Sequence, residues 1–404
     1  MQQFNDNLIE SVQKDIGDVE FVLPCTPTQE GMLSETIKNS QSYWSHQVFE
    51  LDENVNVDRL LRAWEVVANK NQALRTCFVP TAIYGNKDAI FAQCILSSSS
   101  ISFEVINFDH ENRSEFMHER VRNIVNAWSN SNKPPVNLTL ALSSNGCRYI
   151  ITSLHHAIYD GDSLDFIFRD VESAYKGIEI ENRTSLKDSM SIMNSVPMNS
   201  KETKEFWSSV LEPFNSNATW PILHDDSNVD DKQFWTKSFK DVNRANINQL
   251  LQVAWAILQS LYTGANDVVF GETISLRNLD VGLESVVAPM IATLPVVVKI
   301  EENSTARSLI NELSKLSNSS ANHKCVSLKH VRQALKCPIG SALFPALFVL
   351  IVESNSETET YVKSDLWRNK FEIGELDVEH PVAINAFING DNVQVDILGS
   401  NKLM

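Results

Sequence analysis

The chain has 404 residues, 43% of them hydrophobic and 21% charged, enough apolar material for a large buried core and too much for a disordered chain. Its length suggests two or three domains. Its formal net charge of -17 argues against nucleic acid or an anionic membrane surface as a partner, because both need a basic footprint. No run of 18 apolar residues is present and the polar opening MQQFNDNLIESVQKDIGD has no apolar signal core, so we expect neither a membrane span nor a secretion signal.

The first ordered segment is VEFVLPCTP, an apolar stretch leading to a helix over 28–38 with Thr28 as its expected N-cap. A strand over 43–51 follows. The segment VDRLLRAWEVVANK then puts Val57, Leu60, Leu61, Trp64, Val67 and Ala68 on one helical face. NQALRTCFVP, AIFAQCIL and ISFEVINF read as strands. FMHERVRNIVNAW reads as an amphipathic helix with Phe116, Val121, Ile124, Val125 and Trp128 inward. VNLTLALSS and CRYIITSLHH are strands joined through Asn145-Gly146, a strong hairpin signal. DSLDFIFRDVESAYKG is a helix opened by Asp162 or Ser163 and closed by Gly177. From 178 to 200 the apolar periodicity fades, which suggests a linker between domains 1–178 and 179–404.

Past this point come a helix at KETKEFWSSVLEP, a strand near FWTKSF and a long helix, NINQLLQVAWAILQSLYTG, ended by Gly264. The strand DVVFGETI, the loop SLRNLDVGLESVVAPMIA and the strand TLPVVVKI are next. Two helices, 305–320 and 327–336, precede the strands FPALFVLIVE, HPVAINAFI and NVQVDILG. The tail GSNKLM is so short that we expect a domain excised from a longer chain. Each half carries helices and several strands, so the fold class is α+β with two lobes of similar plan. Six scattered cysteines (Cys25, Cys77, Cys94, Cys147, Cys325, Cys337) show no zinc spacing and read as reduced thiols of a cytoplasmic protein. No metal, nucleotide or flavin motif is present. Trp64, Trp128, Trp207 and Trp255 lie on apolar helix faces and read as core.

Chemistry concentrates at LHHAIYDGDS, residues 154–163. On an extended segment neighbouring side chains point to opposite faces, so His155 and His156 cannot do the same job. An imidazole near its ordinary pKa suits proton handling at neutral pH. Asp160 lies across a turn, where it can hold an arginine or order the loop. Gly161 can adopt φ > 0 and lets a backbone N–H approach a reacting group. The positive end of the next helix faces the same spot. A base, a free amide and a helix dipole at one strand end suit acyl transfer; two histidines in a polar turn are the plainer alternative.

The heptad HHAIYDG resembles the HHxxxDG motif of the condensation domains of nonribosomal peptide synthetases. LPCTPTQEGML (23–33) is similar to the opening segment of that family, and NQALRTCF (71–78) to its RHExLRTxF motif, with Gln72 a departure. GETISLRNLDVGLESVVAPMIATLPVVV (271–298) resembles the segment ending near GPFINTLPxR, with Ala288, Ala292 and Val298 in place of Gly, Asn and Arg. DVEHPVAINAFI (377–388) resembles the late VEYPLxxE stretch. The pattern is closest in flavour to fungal synthetases of ferrichrome-type siderophores. The family's YxDYAxW motif and its C-terminal helix are not evident.

The resemblance implies two chloramphenicol-acetyltransferase-like lobes in a V-shaped pseudo-dimer with a central tunnel. It implies an acyltransferase that joins a thioester on one carrier domain to an amine on another, forming an amide. The alternatives within the fold are a terminal cyclising or ester-forming domain and a catalytically silent carrier-docking domain. Free-standing HxxxD acyltransferases that use coenzyme A match fewer segments. No cofactor is expected to bind; substrates arrive on the 4'-phosphopantetheine of upstream and downstream peptidyl carrier domains. An adenylation domain is the expected neighbour, in a monomeric part of a megasynthase. By the motif, His156 is the residue at the reacting amine, as general base or as its orienter. His155 is structural within the first lobe, Gly161 offers its amide, and Asp160 forms a salt bridge with Arg277 or, second, Arg75. His323 stands where the family has HQxxPFE and is a candidate tunnel residue. His46, His110, His118 and His224 carry no partner pattern.

Overall fold

The computed structural model describes residues 9, 12–84, 90–98, 101–129, 131–195, 200–214, 232–240, 242, 246–324, 326, 328–337, 343–353, 364–373 and 380–400. In chain order the elements are β1 (Val19–Pro24), α1 (Pro27–Lys38), β2 (Trp44–Leu51), α2 (Val57–Lys70), β3 (Thr76–Pro80), β4 (Phe91–Leu96), β5 (Ser102–Phe108), α3 (Arg113–Ser129), β6 (Val136–Ser143), β7 (Arg148–His155) and α4 (Gly161–Lys176). There follow α5 (Leu186–Ser195), α6 (Lys201–Leu211), β8 (Lys232–Phe239), α7 (Ile247–Thr263), β9 (Asp267–Ser275), β10 (Ile291–Lys299), α8 (Ala306–Ser319), α9 (Leu328–Ala334), β11 (Ala346–Glu353), β12 (Trp367–Ile373), β13 (Val382–Asn389) and β14 (Asn392–Ser400). Among the described residues no helix is long and apolar enough to cross a membrane.

The chain forms two compact units, and each is discontinuous. The first comprises residues 1–192, 277–290 and 357–377; the second comprises 193–276, 291–356 and 378–404. A single cut at 178/179 does not reproduce them. The reason is pairing: β12 adds to β2 with Trp367 opposite Leu51 and Ile373 opposite His46, although more than 300 residues of sequence separate them. WRNKFEI carries three charges in seven residues and was not expected to be a strand. Its partner strand supplies what its composition lacks, with Trp367 buried against Phe49 and Phe168.

In the first unit a five-stranded sheet runs β12-β2-β7-β6-β5 and a three-stranded sheet runs β1-β4-β3. β6 and β7 are antiparallel, and Gly146 turns between them at φ 86°. Leu60, Ala63, Trp64, Val67 and Ala68 of α2 are buried, as the 3.6-residue spacing requires, while Val57 and Leu61 lie half-exposed at its flank. α1 starts earlier than expected. Thr26, not Thr28, is the cap: its hydroxyl accepts from Gln29 N, the Gln29 side chain accepts from Thr26 N, and Pro27 fills the first helical position. Gln72–Arg75 form a 3₁₀ turn, so the expected strand over 71–80 begins only at Thr76. α5 occupies the stretch taken for a linker. Leu186, Met190 and Met193 recur at helical spacing and are buried, and the Leu186 N–H donates to Gln72 Oε1 at 2.8 Å. Two flexible methionines make a weak apolar stripe, which is why the periodicity there is faint.

In the second unit a six-stranded sheet runs β10-β9-β11-β13-β14-β8. Its core joins Val253, Trp255 and Ala256 of α7, Leu309 and Leu313 of α8, and the inward residues of β9–β11 and β13. Val298 belongs to this core at 3% exposure. The opposite face packs Trp207 and Leu211 of α6 against Val269, Leu294 and Phe344. Gly271 is required there: a Cβ would meet the Phe344 ring at 2.7 Å. Gly264 ends α7 at φ 68°, and Gly177 ends α4 at φ 76°.

Candidate active site

The HHAIYDG segment lies wholly within the first unit, between the end of β7 and the start of α4. β7 pairs with β2 so that Trp44 stands opposite His155. His155 is fully buried. Its Nδ1 accepts from the Ala157 N–H at 3.0 Å, so the ring proton sits on Nε2, which donates to Thr36 Oγ1 at 2.8 Å. The Thr36 hydroxyl in turn donates to the Met32 carbonyl at 2.8 Å. Trp128 stacks on the imidazole at 5.5 Å and Trp44 meets it edge-on at 5.4 Å. Burial, then the neighbouring His156, lower its pKa to about 3.

His46 is also buried, bonded through Nδ1 to Ser153 Oγ at 2.8 Å, and burial lowers its pKa to about 4. Both histidines therefore stay neutral when folded and take up protons near pH 6.5 when unfolded. The sign follows: their contribution is intact above pH 6.5 and is lost as pH falls towards about 4 for His46 and about 3 for His155. Urea titrations between pH 6.5 and 4 are expected to show stability dropping by ~1.4 kcal/mol per pH unit for each histidine. His46→Asn removes one such increment from the slope; an unchanged slope contradicts the assignment.

His156 points elsewhere and is half-exposed. Its Nδ1 lies 3.2 Å from the Tyr159 carbonyl. A carbonyl only accepts, so Nδ1 carries the proton and Nε2 carries the lone pair. The Tyr159 ring, 2% exposed, stacks on the imidazole with centroids 4.4 Å apart and planes 20° apart. The backbone N–H of His156 donates to the Tyr43 carbonyl at 2.8 Å, and Tyr43 sits at φ 64°. Below the turn, Gln29 Nε2 donates to the Ala157 carbonyl at 2.9 Å, tying α1 to the residues between the histidines and Asp160.

Asp160 is the N-cap of α4, a place expected for Asp162 or Ser163. Its Oδ1 accepts from Ser163 N at 2.8 Å, and Gly161 becomes the first helical residue. Gly161 therefore has a helical backbone, not the φ > 0 its type permits. It is exposed, a Cβ there would meet nothing within 4 Å, and its amide has no intrahelical acceptor.

The structure brings Arg277 to Asp160, with Nη2 2.7 Å from Oδ1 and side chains 6% and 5% exposed. Oδ2 accepts from Met290 N at 2.9 Å. Arg277 also donates through Nη1 to the carbonyls of Val286 at 2.8 Å and Glu284 at 3.1 Å. Its Nε lies 3.1 Å from Asp162 Oδ2, an ion-pair contact without hydrogen-bond alignment. Ser163 Oγ sits 2.6 Å from Asp160 Oδ1 and 2.8 Å from the Ala288 carbonyl, sharing its proton between them, and accepts from Ala288 N at 3.1 Å. The segment 277–290 is thus fastened to the N-terminal end of α4. Arg75 is not brought to Asp160: it pairs with Glu20 at 2.5 Å and donates to the Leu96 carbonyl. The reason is local, since the 3₁₀ turn at 72–75 aims its side chain at β1 and β4.

Sequence reasoning missed Tyr159 and Gln29 and took Ser163 only as a possible helix cap; the T-x-x-Q capping signature was the signal for Gln29. His323 lies in the second unit, with Nδ1 3.1 Å from Thr203 Oγ1, its ring stacked on Phe206 at 4.4 Å and its carbonyl accepting from Trp207 Nε1. These contacts are those of a packing residue. His224 lies outside the described residues, as does the side chain of His110.

Solved structures share this architecture: the X-domain from teicoplanin biosynthesis (TM-score 0.75, 17% identity, covering 94% of this chain and 90% of that one) and the condensation domain of the Monacolin K polyketide synthase MokA (TM-score 0.69, 14% identity, 96% and 93%). The epimerization domain from the third module of tyrocidine synthetase B has the same fold (TM-score 0.69, 16% identity, 95% and 92%). The fold is thus that of the condensation-type domains, α+β with acetyltransferase-like halves. The Condensation domain family model matches residues 19–403, and the chain belongs to that family. Nonribosomal peptide synthetase fso1 of Omphalotus olearius is 32% identical over 100% of this chain, and synthetase sidC of Aspergillus fumigatus 29% identical over 99%. The chain spans 9% of the length of each.

Proposed function

We propose that the chain forms an amide between an acyl or peptidyl thioester on one carrier domain and an amine on another, within a nonribosomal peptide synthetase. Carrier-borne 4'-phosphopantetheine delivers both substrates, an adenylation domain is its neighbour, and the setting is the cytoplasm. The ferrichrome-type siderophore reading of the sequence is kept as part of this proposal, and the similarity to sidC and fso1 supports a fungal nonribosomal peptide synthetase as the setting.

The amine nitrogen attacks the thioester carbonyl, the C–S bond breaks, and a pantetheine thiolate leaves. The amine loses one proton, which His156 Nε2 accepts and returns to the thiolate. A thioester is already activated, so positioning and proton handling suffice and no covalent enzyme intermediate is needed. The exposed Gly161 amide at the positive end of α4 favours the charge that develops on the carbonyl oxygen. Asp160 and Arg277 hold the turn; His155 packs. The single observation carrying this reading is the 3.2 Å contact between His156 Nδ1 and the Tyr159 carbonyl, from which Nδ1 is assigned as the protonated nitrogen and Nε2 as the basic one.

The test is turnover by the chain with one donor-loaded and one amine-loaded carrier domain, read by mass spectrometry of the carrier-bound product. Binding of both carriers without product sinks the amide-forming reading and leaves the silent docking domain. Gly161→Ala adds a sharper arm. Space and backbone angle both accept the methyl, so the thermal midpoint is expected to stay within about a degree while turnover falls ~10-fold or more, because the methyl blocks close approach to the amide. Wild-type turnover in this variant removes the Gly161 amide from the mechanism.

A further inference from the structure

We infer that Tyr159 is the positioning residue that sets the ring orientation and tautomer of His156. The inference rests on reading His156 Nε2 as the nitrogen that meets the amine. Tyr159 makes two independent contacts with that one imidazole. Its carbonyl accepts a hydrogen bond from Nδ1–H at 3.2 Å, and its ring lies against the imidazole face at 4.4 Å and 20°. The first contact selects the direction within the ring plane; the second selects the plane.

Both are needed, because the terminal torsion of histidine is broad and close to two-fold. A half-turn about it exchanges Nδ1 with Cδ2 and Nε2 with Cε1, and puts a carbon where the base should be. The carbonyl alone resists that turn through one moderately long hydrogen bond. The phenol ring adds a flat wall that does not yield: it is 2% exposed, and its backbone is extended at φ -150°, ψ 162° between the 3₁₀ turn His156–Ile158 and the capped start of α4. Asp160, the next residue, is anchored by Ser163, Arg277 and Met290, so the wall stands on a fixed base. The imidazole is half-exposed, and the phenol ring lies flat against one of its faces. The stacking interaction belongs to the flat ring and not to the hydroxyl.

The experiment uses the full chain labelled with ¹⁵N-histidine. Long-range ¹⁵N–¹H correlation reads the tautomer of each ring, and His156→Asn assigns the signal. Wild type and Tyr159→Phe are expected to show the Nδ1–H form alone. Tyr159→Leu, which fills space without a flat face, is expected to show a second, Nε2–H population at neutral pH. With loaded carriers, Tyr159→Leu is expected to lose about three- to tenfold in kcat with KM for the amine-loaded carrier unchanged, and Tyr159→Phe to stay within about twofold. If Tyr159→Leu does not fold, Tyr159→Met serves in its place. A single Nδ1–H form in the aliphatic variant, or an equal loss of turnover in the Phe variant, overturns the inference. Wild-type turnover by His156→Ala would instead remove the catalytic reading of His156 and leave the tautomer measurement to decide Tyr159 by itself.

Discussion

His156→Ala is expected to lower turnover of carrier-bound substrates by about 10²- to 10⁴-fold, the span associated with a positioned acid–base group. The side chain is half-exposed and takes no part in the buried clusters of the first unit, so the fold should survive: the thermal midpoint is expected to move by a few degrees at most. His155→Ala should behave in the opposite way. It opens a cavity between Trp44 and Trp128 and leaves Thr36 Oγ1 and the Ala157 N–H without their imidazole partner. Stability should fall first, by about 2–4 kcal/mol, and turnover should fall with it. The pair of variants separates chemistry from architecture. Unchanged turnover in a folded His156→Ala protein removes proton handling from the proposed mechanism.

The second large effect is structural. Arg277→Met is expected to destabilise the chain by about 3–5 kcal/mol in urea titration, because it strands a buried carboxylate. It also deprives the carbonyls of Glu284 and Val286 of a donor. Asp160→Asn should cost less. The single acceptor oxygen of asparagine can still cap α4 but cannot also accept from Met290 N, no buried charge is added, and Arg277 keeps its carbonyl partners. The double variant should cost less than the sum of the singles, since each single leaves one buried charge without its partner. Additive losses would mean that the pair is not coupled. Loss of activity in Asp160→Asn is therefore a poor probe of chemistry, because it loosens the turn that presents His156 and Gly161.

The sequence by itself determined the parts written in local signals. Alternation and helical spacing marked most strands and helices; Asn145-Gly146 marked a hairpin; Gly177 and Gly264 marked helix ends. Two adjacent histidines on an extended segment had to part company, and they do, one into a cage of tryptophans and one outward. Arg277 was reached through likeness to a family and not through spacing, for nothing local ties it to Asp160, 117 residues away. Tertiary structure alone decided the rest. It turned the apparent linker into α5, because Met190 and Met193 become informative only when a surface is present to bury them. It made a strand of a charged heptad, because backbone groups at 367–373 find their acceptors on β2. It moved the cap of α4 to Asp160, because that carboxylate can serve the helix, the arginine and the Met290 amide at once. Which tautomer His156 adopts was likewise invisible, since it depends on where a main-chain carbonyl points after the turn has closed. Local propensity selects elements; long-range pairing of buried polar groups selects where they go and what the site can do.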